Sequence, residues 1–92
     1  MRIEDLYDAA QASGLLKSVQ TGAGPVWCGF RAPDEAVLDG LSLSRDYAIE
    51  YPSSRAQLAA GETVSIDGQS YRVREVRILR DGTEVRATLS RL

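Results

Sequence analysis

The chain has 92 residues, of which 43% are hydrophobic and 26% charged, with a formal net charge of −2 and no histidine. A single domain of this size buries about 60–65% of its unfolded surface, enough for a modest core but not for a deep catalytic cleft. The ordinary composition excludes global disorder, and the near-neutral charge argues against a free-standing nucleic-acid binder.

The missing histidine removes the Cys-His and Ser-His-Asp nucleophile arrangements and every histidine-bearing zinc site. Cys28 is the only cysteine, so no intramolecular disulfide can form, which fits a cytosolic protein. It sits in Val26-Trp27-Cys28-Gly29-Phe30, where it reads as a half-buried strand residue rather than a nucleophile. Lys17 is the only lysine, and no pair of carboxylates stands in a recognisable catalytic setting. Catalytic residues, a metal site and a cofactor are therefore not expected.

At the start of the chain, Met1-Arg2 is followed by acidic Glu4 and Asp5 rather than by an apolar leader, so no secretory signal is expected. No apolar run is long enough to cross a bilayer, and no membrane partner is expected. Ile3, Leu6, Tyr7 and Ala10 follow helical spacing and predict a short helix over 3–12, ended by Ser13-Gly14. Its apolar face can pack on the core or dock on another subunit. Leu15 to Val19 is compatible with strand or helix. Thr21-Gly22-Ala23-Gly24-Pro25 reads as a turn. It lacks the spacing of a phosphate-binding loop, and Pro25 removes a backbone donor.

Val26 to Ala32 predicts a strand ended by Pro33, and Ser44 to Tyr51 a second with Tyr47, Ile49 and Tyr51 on one face. Between them, Pro33 to Leu43 is an irregular connection that mixes Asp34, Glu35 and Asp39 with Val37, Leu38 and Leu41. Ser53 is placed to cap one helical turn running to Leu58, with Gly61 as its stop.

The last third is the most legible part. Asp67-Gly68 and Asp81-Gly82 divide it into three strand-like runs, and Asp-Gly between such runs is a strong hairpin signal. The first turn pairs Ile66 with Gln69 and Val64 with Tyr71. The second pairs Arg80 with Thr83, Ile78 with Val85 and Val76 with Ala87. Tyr71 and Val73 are then out of phase with Val76 and Ile78 by one residue, so a β-bulge is expected near Arg74-Glu75, bringing Val73 opposite Leu89. From Tyr71 onward six arginines face three acids, a net of +3, which leaves −5 for the rest of the chain. Alternating arginines usually form a solvated strand face, but they can also present a basic surface to an acidic partner. The expected fold is mainly β. It is a small antiparallel β-sandwich or barrel of five or six strands, with a C-terminal three-stranded meander, a short N-terminal helix and one short helical turn.

Leu58, Gly61-Glu62-Thr63-Val64, Ile66, Tyr71-Arg72-Val73, Val76, Asp81-Gly82 and Leu89 together resemble the small head–tail joining proteins of tailed bacteriophages and prophages, of the lambda tail-attachment type. Asp8-Ala9-Ala10, Gly29-Phe30 and Ser53 to Leu58 extend the similarity upstream. The resemblance implies a single structural domain spanning residues 1–92 that joins the DNA-filled head, at its portal vertex, to the preassembled tail. It implies a monomer in solution that forms a ring around the DNA channel. Its partners would be portal connector and tail terminator proteins, and it would reside in the virion after assembly in the bacterial cytoplasm. Two candidate contact regions follow from it. One is the helix with Ile3, Leu6 and Tyr7. In the other, the 33–43 segment, Val37, Leu38 and Leu41 would anchor while Asp34, Glu35 and Asp39 orient.

Two other classes fit the same β-rich pattern. A small ligand-binding or regulatory barrel, such as an accessory domain of an ATP-binding sugar transporter, would need a pocket with convergent polar groups. A nucleic-acid-binding barrel would use Trp27, Phe30, Tyr47, Tyr51 or Tyr71 beside Arg72 and Arg74 to stack bases, although most of these aromatics are needed for the core.

Overall fold

Residues with alternating apolar and polar side chains form six antiparallel strands that close into a barrel. The computed structural model describes residues 2–32 and 47–92. The elements are helix α1 (Ile3–Ala12) and strands β1 (Lys17–Thr21), β2 (Gly24–Arg31), β3 (Tyr47–Pro52), β4 (Thr63–Ile66), β5 (Gln69–Leu79) and β6 (Glu84–Arg91). Around the barrel the order is β1-β2-β3-β6-β5-β4, and β1 closes onto β4 through Val19 opposite Ile66 and Gln20 opposite Ser65. Both strand pairs of the expected meander are present, so the fold class read from the sequence is the one observed.

The meander register holds at nearly every position. Asp67 (φ 51°) and Gly68 (φ 82°) make the tight turn that sets Ile66 opposite Gln69 and Val64 opposite Tyr71. Ile78 faces Val85, Val76 faces Ala87 and Val73 faces Leu89, with the register shift between Val73 and Glu75. The second turn differs from the expectation. Arg80 and Thr83 lie outside the ladder, and a four-residue connection closes on Leu79 opposite Glu84. Arg80, Asp81 and Gly82 all have positive φ (49°, 57° and 92°), forming a short 3-10 turn of left-handed residues. The Arg80 carbonyl accepts both the backbone N–H (3.1 Å) and the hydroxyl (2.8 Å) of Thr83, and these bonds hold the non-glycine residues in that region.

Two other expectations need correction. Residues 53–58 form no helix. Arg55 N–H reaches the Pro52 carbonyl (3.0 Å) to make one turn, and Ser53 donates its hydroxyl to the Gly82 carbonyl instead of capping. The turn at 21–25 is narrower, with only Gly22-Ala23 between Thr21 and Gly24, so Pro25 lies within β2. Pro25 is tolerated because β3 pairs with β2 only from Gly29 onward, leaving one side of Pro25 without a ladder. Trp27 does not fill the core. It is 42% exposed on the outer wall, because Val26 and Cys28 take the inward positions on either side of it. Part of the second predicted strand, 44–46, lies outside the described residues.

The barrel interior is packed with side chains. Val19, Val26, Cys28, Ile49, Tyr51, Val64, Ile66, Tyr71, Val73, Val85, Ala87 and Leu89 make one cluster. Full burial of each large aliphatic among them contributes about 1.5–3 kcal/mol. Phe30, Tyr47 and Tyr71 pack on one another at one end, with ring centroids 5.0–6.0 Å apart. At that end β2 stops and β3 begins, and Lys17 pairs with Asp67 (2.8 Å). The β5–β6 connection and the Gly22-Ala23 turn lie at the opposite end.

Helix α1 runs along the outer wall against β2 and β3 and buries none of its own residues. A ten-residue helix is marginal alone, so polar contacts must hold it. Asp5 accepts the Arg2 N–H (3.2 Å) at its start. At its end Gly14 (φ 75°) donates to Gln11 and Leu15 donates to Ala10, the bond pattern of a Schellman stop. Asp8 pairs with Arg55 (2.8 Å), and Glu4 accepts the Ser54 hydroxyl. Tyr7 donates to Glu84, a carboxylate only 8% exposed that also takes the Arg80 Nε–H (2.7 Å).

Three measurements test this account. Tyr7→Phe should lower stability by about 1–2 kcal/mol in chemical denaturation, the loss expected for a half-buried bond to a carboxylate; an unchanged midpoint would refute the clasp. Tyr51 has a buried hydroxyl without a hydrogen-bond partner. Tyr51→Phe should therefore be neutral or stabilise by up to about 1 kcal/mol, and a loss above that would reveal a hidden partner. Glu4 and Asp8 titrate below their ordinary values, owing first to the bonds from Ser54 and Arg55 respectively. Their contribution is complete above the unfolded-chain values of about 4 and disappears as pH falls through the lower folded values. Amide signals of α1 should lose their native shifts below about pH 4 before those of the barrel do, and simultaneous loss would count against an acid-sensitive helix.

Candidate functional site

The described side chains do not assemble a reaction centre. Cys28 is buried, and burial pushes its thiol up to about 12, which removes it as a nucleophile at neutral pH. Among the described residues no group of three or more His, Cys, Asp or Glu is placed to hold a metal ion. No helix among them is long and apolar enough to cross a membrane. The strand side chains fill the barrel interior, so the ligand pocket that a regulatory barrel would need is not found there among the described residues. Phe30 and Tyr47 stack on each other and both meet Tyr71 edge to face, so these rings are engaged with one another.

The surface is more informative, and the predicted residues separate on it. Leu6 is 51% exposed on α1, and Ile3 is half-buried beside it. Both line an open groove of about 540 Å³ whose far wall is Ser53 and the β5–β6 connection, Asp81, Gly82 and Thr83. Apolar side chains therefore face a rim of hydroxyls, backbone and one carboxylate. Tyr7, on the same helical face, is used internally. Its ring is half-buried, and burial first, then the bond to Glu84, hold its hydroxyl protonated far above the ordinary tyrosine range. Of the three helix residues, Ile3 and Leu6 line the groove, and Tyr7 fixes the helix that carries them.

Asp34, Glu35, Val37, Leu38, Asp39 and Leu41 lie outside the described residues. Their attachment points are nevertheless defined. The segment leaves after β2 and rejoins at β3, with Arg31 opposite Ala48 at its base. This is the end of the barrel closed by Phe30, Tyr47 and Tyr71. The groove of Ile3 and Leu6 is at the other end, beside the β5–β6 connection. The two sequence-predicted regions are thus anchored at opposite ends of a molecule measuring 40 × 26 × 26 Å.

Sequence reasoning missed the far wall of the groove. Ser53 was assigned a helix cap, and Asp81-Gly82 a two-residue turn. Glu84 was also missed, since a glutamate in an Arg-rich meander carries no mark of burial. On the outer wall Arg86 pairs with Glu50 (2.6 Å) across β3 and β6, so part of the arginine content is consumed within the barrel.

A protein-family model described as Phage Head-Tail Attachment protein matches residues 4–90, which takes in α1 and all six strands. No curated protein matches the chain. The match covers nearly the whole length and agrees with the fold and with the absence of a reaction centre among the described residues. The chain belongs to the phage head–tail attachment protein family, and its role is structural, joining head to tail, rather than enzymatic.

Proposed function

We propose that this protein bridges two different surfaces, the portal vertex of the DNA-filled head and the end of the preassembled tail, by using the two ends of its barrel. The observation that carries this reading is the opposed placement of the candidate regions. The Ile3–Leu6 groove sits at the β5–β6 end, and the 33–43 segment is anchored at the other. A joining protein needs two independent contact faces, and a closed barrel between them transmits position without itself deforming.

In this reading Leu6 and Ile3 supply apolar contact on one side. Val37, Leu38 and Leu41 do so on the other, oriented by Asp34, Glu35 and Asp39. The protein is a monomer before assembly in the host cytoplasm and forms a ring around the DNA channel in the virion. Portal connector proteins and tail terminator proteins are its partners. The whole chain, residues 1–92, acts as one domain, with no membrane contact, no sequence-specific nucleic-acid contact and no cofactor.

The test is electron microscopy of particles from the phage or prophage after deletion of the gene. Full heads beside complete, unattached tails, rescued by the gene on a plasmid, are expected; normal virions would overturn the joining role. Leu6→Glu and Leu38→Glu supplied on the plasmid should each lower infective titre about tenfold or more, the size expected when an interface anchor is lost. One should leave the protein on heads and the other on tails. Both variants stopping on the same structure would sink the two-ended arrangement.

A further inference from the structure

β5 is 11 residues long and β4 only four. β4 pairs its Thr63–Ile66 with Gln69–Arg72 of β5, and the next contact on that edge is Val73. Its N–H donates to the Glu62 carbonyl (2.8 Å), and its carbonyl accepts from Gly61 (2.7 Å). Residues 74–79 then pair with β6 alone, and no described strand lies along their other edge. An edge of this length is a template for a further strand.

Natural proteins often protect such edges with bulges and charge, and the register shift at Arg74 and the exposed Arg77 do part of that. Protection does not explain Ile78. It is on the barrel-facing side, opposite Val85, yet 69% exposed, because the barrel wall that should cover it has already ended. It rims an apolar groove of about 210 Å³, with Tyr51, Ala56, Leu58, Val76 and Val85 as the other main walls. The buried Tyr51 hydroxyl lines this groove without a hydrogen-bond partner. A solvated edge gains nothing from an isoleucine beside an apolar groove; an edge that accepts a strand needs both.

The charge around the edge says what kind of strand fits. Arg77 and Arg80 are exposed along it, Arg77 with a long pair to Glu75 (3.3 Å), and Arg74 is exposed at the bulge. The Arg80 guanidinium touches Glu84 but is itself 71% exposed. We propose that the free edge of β5 over residues 74–79 is a strand-addition site. Its occupant is an extended segment of a neighbouring virion protein, with an apolar side chain that enters the groove under Ile78 and acidic residues that face Arg77 and Arg80. Backbone pairing supplies length and direction, the groove selects the apolar residue, and the arginines select against basic or neutral segments. This proposal rests on the head–tail joining role and adds the mode by which one partner is held.

The test uses the full-length protein supplied to the gene-deleted phage. Wild-type rescue shows that the joining role stands, whatever the variants do. Ile78→Lys should fold with an unchanged melting temperature, since Ile78 is largely exposed, and joined particles should fall about tenfold or more; Ile78→Val should join normally. Arg77→Glu should join less well than Arg77→Lys. A photo-crosslinking amino acid at position 78 in joined particles should attach to a different virion protein, within a peptide whose acids flank an apolar residue. Normal joining by Ile78→Lys overturns the site. Cross-linking to a second copy of this chain, or to a basic segment, overturns the occupant.

Discussion

Arg74 is one residue more than β5 needs to match β6, and much of the molecule depends on that surplus. Without it, Tyr71 and Val73 could not face inward together with Val76 and Ile78, because strand side chains alternate strictly. The bulge restores both sets to the barrel-facing side and sets Val73 opposite Leu89 at the centre of the core. It also adds local twist, which helps a six-stranded sheet curl far enough for β1 to reach β4. Past the bulge, β5 and β6 continue beyond the short β4 and carry the Arg80–Gly82 turn, so the same irregularity that completes the core also projects the surface at that end.

That projecting turn and the N-terminal helix meet over Glu84. A carboxylate on an outer strand face normally stays wet, but α1 covers this one, and burial demands partners for it. Tyr7 supplies one from the helix and Arg80 the other from the turn. The helix is therefore positioned by a polar contact rather than by core burial, which leaves Ile3 and Leu6 free of the interior. A helix whose apolar residues were swallowed by the barrel would have nothing to offer a partner. One held by Tyr7, Asp8 and Glu4 keeps its hydrophobic surface at the groove while its position stays fixed.

The sequence was most readable where local chemistry and long-range pairing agree. Asp67-Gly68 has only one good hairpin geometry, and the phase conflict between Val73 and Val76 can be resolved only by an extra residue, so turn, register and bulge all followed from residue order. Asp81-Gly82 looks identical locally but is settled by tertiary demands. The Gly82 carbonyl accepts from Ser53 and the Arg80 carbonyl from Thr83, so Arg80 and Thr83 leave the ladder while Leu79 stays opposite Glu84. Ser53 fails as a helix cap for the same reason, its hydroxyl being already committed. Trp27 shows position outranking size: in β2 its neighbours Val26 and Cys28 take the inward side, and the largest side chain is left outside. Helical spacing put Ile3 and Leu6 on one face, and both line the groove. The same spacing could not separate Tyr7 from them, because its partner lies 77 residues away.

A barrel closed at every strand would be a poor joint if closure were complete along its whole length, since it would have no edges and few apolar positions left exposed. This chain closes only as far as β4 reaches. At one end the aromatic cluster of Phe30, Tyr47 and Tyr71 seals the core beneath the end of β2 and the start of β3. At the other end the wall stops early, and the Ile3–Leu6 groove, the β5 edge and the β5–β6 turn all lie there. Closure in the middle with unequal ends suits a protein whose role is to join head to tail. The charge imbalance along the chain reinforces that inequality, because arginines gather on the β5–β6 extension while Asp34, Glu35 and Asp39 lie in the segment attached at the opposite end.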